Sequence, residues 1–437
     1  MNPSRPGPSV RRFTASLALL TLGASLAACS SGGGTPAGGG TGANDAPVEK
    51  VLRIAMGSPG DAQIKVWKDV AAQYEALHPG WTVDLNFMND DQYETVGLPN
   101  LLSGRKAPDL YFEWAGHRLA TRVANGFAAD LTPYVDGALK GIWNPGLFDQ
   151  TRVNGKVSMI PHMADVTTLI WYNKDLYTKA QVNPPASLND LISSCAAFSG
   201  QGVSTIALGN KDLWPAGNFF AMIASRVVGP DVYDATMAGK SSFDSPAWVK
   251  AMEQVKAFAD KGCVNSSAAA IDDNAGAQLF FQGKAAVHPI GSWLVSWAVT
   301  EAPALNFDFV NIPPVDGGAG DQHSVMGVLT GYVVNAKSPR QKEAVDFMAL
   351  LESQKNVDAF IKAEAVPLAL VAAKNTTIDP RTARLGELLA STTTIVSPPD
   401  TGYDVERANA LYQAISSVLG GQASPADAVK TLADQTK

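Results

Sequence analysis

The stretch from Val51 to Phe87 constrains the fold most. VLRIAM (Val51 to Met56) is a short apolar run suited to a buried strand. Ala62 to Leu77 then places Ile64, Val66, Trp67, Val70, Ala71, Tyr74 and Leu77 at helical spacing, and Pro79-Gly80 ends that helix. WTVDLNF (Trp81 to Phe87) alternates as a second strand. Strand, helix and strand in this order predict a parallel sheet, and therefore an α/β fold. PDLYFEW (Pro108 to Trp114) is the next predicted strand, and its carboxyl end is where an open α/β sheet usually receives a ligand.

The chain has 437 residues, room for two domains with cores of their own. Lys plus Arg number 34 against 41 Asp plus Glu, which argues against a basic face for nucleic acid. Three cysteines, with no Cys/His cluster, exclude a disulfide scaffold and offer no structural zinc site. No cofactor motif is found. The glycines of DGGAGDQ (Asp316 to Gln322) lack a following Lys-Ser/Thr and a helix start, so the segment is predicted to be a solvated turn. Ser187 with Asp190, Ser245-Pro246, Ser338-Pro339 and Ser424-Pro425 predict helix starts.

Residues 1–28 read as an export signal: Arg5, Arg11 and Arg12, a largely apolar run from Phe13 to Ala28, then Cys29. Leu26-Ala27-Ala28-Cys29 resembles the bacterial lipobox, which implies a lipid on Cys29 after cleavage before it. An ordinary secretory signal with a chance cysteine is the alternative, and Arg11-Arg12 leaves Sec and twin-arginine export open. Cleavage there leaves 409 residues with a formal charge of −10. Two acyl chains would hold that body at the membrane, each buried CH₂ contributing roughly 0.8 kcal/mol. Residues 29–50 are rich in Gly and Ser and read as a flexible tether.

Several motifs in order carry a resemblance: PHMADVTTLIWYNKDL (Pro161 to Leu176), GSWLVSW (Gly291 to Trp297), FDFVNIPPVDGG from Phe307, MGVLTGYVVNAKSPRQKEAVDF (Met326 to Phe347) and GGQASPADAVKTL (Gly420 to Leu432). Together they resemble the family 1 extracellular solute-binding proteins of ABC importers, the group that includes maltose/maltodextrin-binding protein. That resemblance implies a two-lobed periplasmic-binding-protein fold with hinge crossings and a ligand cleft between the lobes. The crossings would lie near Ala164 to Thr168, Gly327 to Gly331 and Lys374 to Arg381. Lobe one would comprise 51–165 and 331–374, and lobe two 166–330 and 375–437.

A sugar presents C–H faces and hydroxyl edges, so its site needs flat aromatic surfaces with carboxylates or amides. The resemblance implies stacking roles for Trp114 and Trp293, a cleft-wall role for Trp214 and a cleft role for Tyr172. His117 and Arg118 follow Trp114 on the next turn. For each aromatic the alternative is a core position, which is the default for Trp67, Trp81, Trp143, Trp171, Trp248 and Trp297. Asp61 and Asp165 resemble ligand-binding acids, with a solvated or capping role as the alternative. Glu113 should point away from the face of Trp114 by strand alternation. Asp400 and Tyr403 lie in a late segment that the family brings to the cleft, while Ala408 stands where a third stacking tryptophan would sit, a departure from the maltodextrin pattern.

Cys195 and Cys263 remain after Cys29, and an exported protein meets an oxidising compartment, so a disulfide between them is expected. The resemblance implies a non-catalytic, monomeric sugar-binding lipoprotein at the outer face of the bacterial cytoplasmic membrane, delivering a neutral di- or oligosaccharide to the transmembrane subunits of a permease. A secreted glycoside hydrolase is the alternative from another class, since tryptophans and carboxylates also furnish a glycosidase cleft. No acid pair has a motif assigning catalytic roles, and the five histidines form no HExxH or triad pattern. A binder of a non-sugar polar solute and a scaffolding lipoprotein are further alternatives.

Overall fold

The computed structural model describes residues 49–143, 151–363 and 378–437. Cys29, the export signal, nearly all of the tether and the first half of the expected crossing at Lys374 to Arg381 lie outside them. The described chain is mixed α/β, with two principal sheets.

In the first sheet, β1 (Val51–Gly57) pairs in parallel with β2 (Thr82–Met88) over its whole length and with β3 (Leu110–Trp114) at Ile54 and Ala55. The connection between β1 and β2 is the helix Asp61–Leu77. Its Val66, Trp67, Val70, Ala71 and Tyr74 are buried, with Trp67 among Tyr332, Phe347 and Phe360. The apolar stripe thus covers the sheet as the helical spacing requires. A small hairpin follows, β4 (Arg152–Val153) with β5 (Lys156–Val157). Next, β6 (Ile160–Val166) runs antiparallel to β11 (Val325–Val334), which also pairs antiparallel with β3 and parallel with β12 (Ile395–Val396).

The second sheet has the order β10 (Phe307–Asn311), β7 (Leu169–Asn173), β9 (Ala285–Ile290), β8 (Ser204–Ile206). Only Thr167 and Thr168 separate β6 from β7, and the Thr167 backbone N–H donates to the Met326 carbonyl at 2.9 Å. The segments expected at Ala164 to Thr168 and Gly327 to Gly331 are therefore neighbours, joined by ladder bonds such as Gly327 with Val166.

Local departures from the sequence expectations have identifiable causes. The strand expected from Pro108 begins at Leu110, because Asp109 is engaged by the Arg53 N–H, the Ser338 hydroxyl and Arg340. Ser338 does not cap a helix: its hydroxyl donates to Asp109 and accepts from the Arg340 N–H, and the helix starts later, at Gln341. The strand expected through Pro314 ends at Asn311, just before prolines that supply no N–H to a ladder. Asp316 to Gln322 is the largely exposed turn expected, tied back to Arg226, whose carbonyl accepts from the Ala319 N–H and the Gln322 amide.

Ser187 caps the helix Leu188–Ser199 in a capping box with Asp190. Ser187→Ala is expected to cost about 1 kcal/mol in denaturant unfolding, and a change near zero would show that the cap contributes nothing. Cys195 in that helix and Cys263 are buried and joined as a disulfide, their Cα atoms 5.1 Å apart. Among the described residues no helix is long and apolar enough to cross a membrane.

Candidate ligand-binding site

The carboxyl ends of the parallel strands open onto a cavity of about 320 Å³. Gly57 to Gly60 follow β1, Asp90 and Asp91 follow β2, and Trp114 ends β3, all on its wall. The second sheet and its helices supply Trp293 just beyond β9, Trp214 and Asn218 from the first turns of Trp214–Val228, and Asp273 from the first residue of Asp273–Phe281. Asp165 and Thr167 come from the junction between the sheets, and Asp400 and Thr401 from a late turn.

Trp114 is held from several sides. Phe112, two residues earlier on the same face, meets its ring edge-on at 4.8 Å, and the Arg118 guanidinium lies 4.6 Å from the ring centroid. Strand alternation turns Glu113 to the opposite side, where it is fully buried and accepts from Arg118 Nε at 3.2 Å and Arg122 Nε at 2.5 Å. Arg118 also pairs with Glu94. Trp293 lies over Gly291 so closely that a Cβ there would fall about 2.0 Å from its ring, so only glycine fits. The Trp214 and Trp293 ring centroids are 6.2 Å apart, and the Trp214 side chain favours the ionised form of Asp91.

Trp114, Trp293, Trp214, Asp165 and Asp400 are thus brought together on the cavity wall. Five other sequence candidates are not. Asp61 is exposed in the first turn of its helix, where an acid favours the positive end of the dipole. His117 is exposed at the start of His117–Ala124. Arg118 is buried behind Trp114 in the ion pairs just described and does not reach the wall. Tyr172 packs against Tyr177 and the hydrophobic core that includes Ile170 and Leu191, and Tyr403 turns inward to donate to Asp234 Oδ1 at 2.9 Å.

The sequence reading also missed wall residues. Trp67 and Trp297, assigned to packing, line the cavity as well. So do Asp90, Asp91, Glu94 and Asp273. The rule that selected Trp114, the carboxyl end of a parallel strand, also selects Asp90 and Asp91. Asp273 follows the helix-capping Asp272 and carries the same sequence signal as any first-turn acid.

The electrostatics are one-sided. Asp90, Asp91, Glu94, Asp165, Asp273 and Asp400 line the cavity, and among the described residues no lysine or arginine does. Burial raises Asp165 to about 6 against the hydrogen bond from Ser292 Oγ at 2.7 Å. Burial, with Asp91 adding to it, raises Asp90 to about 6. Asp273 is raised to about 8 by burial and by the charges of Asp91 and Asp272. His162 and His288 are lowered to about 4 by burial and are neutral at pH 7.

A pH dependence follows. Above about pH 7.5 the unfolded histidines have lost most of their protons and the buried ones are neutral, whereas Asp273 and Glu94, which burial raises to about 8 and about 7, still bind protons more tightly folded than unfolded. The folded state therefore holds more protons, and stability falls as pH rises from about 7.5 to 8.5. Thermal unfolding of the ligand-free protein is expected to track this fall, and Asp273→Asn to make it shallower, Glu94 and Glu352 still contributing. A stability that rose through this window would contradict it.

Residues 60–358 match the family described as bacterial extracellular solute-binding protein. An ABC transporter extracellular-binding protein of Pyrococcus horikoshii is 25% identical over 270 residues, which cover 59% of this chain and 58% of that one. Among solved structures, one concerning xylan utilization by the thermophilic bacterium Caldanaerobius polysaccharolyticus superposes with a TM-score of 0.81 at 24% identity, covering 88% of this chain and 99% of the other. A chitin oligosaccharide binding protein superposes at 0.79 with 20% identity, covering 88% and 98%.

Proposed function

The chain belongs to the bacterial extracellular solute-binding proteins, and from that premise we propose that it is the sugar receptor of an ABC importer. It captures a di- or oligosaccharide bearing no negative charge and delivers it unchanged to the permease. The observation that carries this reading is the wall itself: Trp114, Trp214 and Trp293 around one cavity with carboxylates between them. Tryptophan faces stack on the C–H faces of a pyranose, and ionised carboxylates accept from its hydroxyls. The cavity lies at the low end of the roughly 300–1,000 Å³ usual for small-molecule sites. The sugars named for the structural neighbours agree with this reading.

In this reading lobe one is 51–165 with 331–374, and lobe two is 166–330 with 375–437. The paired segments at β6 and β11 act as a hinge ribbon, since a sugar touching both Trp114 and Trp293 stabilises the shut form. Residues 1–28 direct export, Cys29 carries the lipid, and residues 29–50 tether a monomeric body to the outer face of the cytoplasmic membrane. The protein performs no catalysis on its ligand.

Trp114→Ala and Trp293→Ala are each expected to weaken sugar binding by roughly 2 kcal/mol, about thirtyfold. Calorimetric titration with a sugar that binds the unaltered protein measures this. Unchanged affinity in both variants, with the fold intact by circular dichroism, would refute the stacking role.

A further inference from the structure

Resting on the sugar reading above, one feature of the same cavity narrows the ligand further. Asp273 is less than a tenth exposed, faces the cavity, and has no hydrogen-bond partner on either carboxylate oxygen. His288 Nε2 lies 3.7 Å from its Oδ1. His288 Nδ1 lies 3.0 Å from the Ala207 carbonyl, which accepts its proton. In the neutral ring Nε2 is then an acceptor, so it cannot satisfy Asp273. An ionised Asp273 would therefore face a second acceptor with no donor between them, and in the ligand-free protein burial keeps the carboxyl largely protonated at pH 7.

The surroundings add negative charge. Asp91 and Asp272 act on Asp273 through space, and the Trp214 side chain favours the ionised form of Asp91. Lys211, which also acts on Asp91, is exposed and off the wall. A hydroxyl brings one donor and no charge to this place. An ammonium brings three donors and a charge, and the tryptophan faces attract it as well. A metal ion is a poorer match, since the described residues hold no group of three or more ligands able to bind one.

We propose that the ligand is an amino sugar whose protonated, unacetylated amine sits between Asp273 and Asp91, with the ring against the tryptophans. This replaces the neutral sugar expected from the sequence with a cationic one.

The test is calorimetry on the full chain at pH 7 with three disaccharides that differ only at C2. They are glucosamine disaccharide from chitosan, its N-acetylated counterpart N,N′-diacetylchitobiose, and cellobiose, with spermidine as an amine that has no sugar ring. The glucosamine disaccharide is expected to bind at least about tenfold tighter than the other two sugars, and Asp273→Asn to remove most of that preference. Asp91→Asn is the second variant, used if the first does not fold by circular dichroism, and the same loss is expected. Cellobiose or N,N′-diacetylchitobiose binding as tightly as the amine, or either variant weakening all three sugars alike, would overturn the amine proposal and leave the sugar reading intact. Spermidine binding without any sugar would support the ammonium site and overturn the sugar reading. No binding by any of the four compounds would overturn the proposal.

Discussion

Glu113→Leu is expected to cost about 3–5 kcal/mol of folding stability, the cost of leaving buried charges without their partner. Glu113 is fully buried and accepts from Arg118 Nε and Arg122 Nε, both of which are themselves largely sealed from solvent. Without the carboxylate, Arg118 keeps its pair with Glu94 and Arg122 loses a bond of 2.5 Å. The loss should also reach the cavity, because the Arg118 guanidinium forms one face of the support beneath Trp114. Glu113→Gln retains an acceptor of nearly the same shape and should lose less. Denaturant unfolding of both variants measures the difference. A Leu variant within about 1 kcal/mol of the unaltered protein would mean that the two arginines find water or another acceptor.

Replacing both Cys195 and Cys263 with alanine is expected to cost about 4 kcal/mol. Their bond closes a loop of sequence separation 68, and the loop-entropy relation gives that value for a loop of this length. The restraint pins the helix Leu188–Ser199 to the segment beyond Pro246–Asp260, within one hydrophobic core that includes Leu191, Phe198, Trp248 and Phe258. Unfolding of the double variant beside the oxidised protein reads the effect. A loss under about 1 kcal/mol would show that the unfolded chain is already compact there. Two free thiols on alkylation under denaturing, non-reducing conditions would show that the bond does not form.

The parallel sheet was legible in the sequence because β1, the helix Asp61–Leu77 and β2 each carry a periodicity of their own. Trp114 was legible because it ends a strand of that sheet, and Asp165 because it precedes the junction with β7. Tyr172 and Tyr403 were not, since a tyrosine beside a cleft and one turned into the core have the same local sequence, and only the packing with Tyr177 or Tyr233 separates them. Arg118 shows the same limit in charge: its partners Glu94 and Glu113 lie on other elements, so its sequence neighbours give no sign that it is enclosed. Asp273 was hidden for a different reason. A first-turn aspartate is ordinarily explained by its own helix, and the cavity that gives this one a further use is assembled from residues remote in the chain.

Thermal unfolding of the full chain against a panel of mono-, di- and oligosaccharides, neutral and amine-bearing, tests the central claim most directly. A sugar that binds only the folded form, present at about 100 times its Kd, should stabilise it by roughly 2.7 kcal/mol and be recovered chemically unchanged after long incubation. A stabilising sugar recovered hydrolysed would contradict the receptor account in favour of a glycosidase, and a panel without any shift would contradict the carbohydrate site itself.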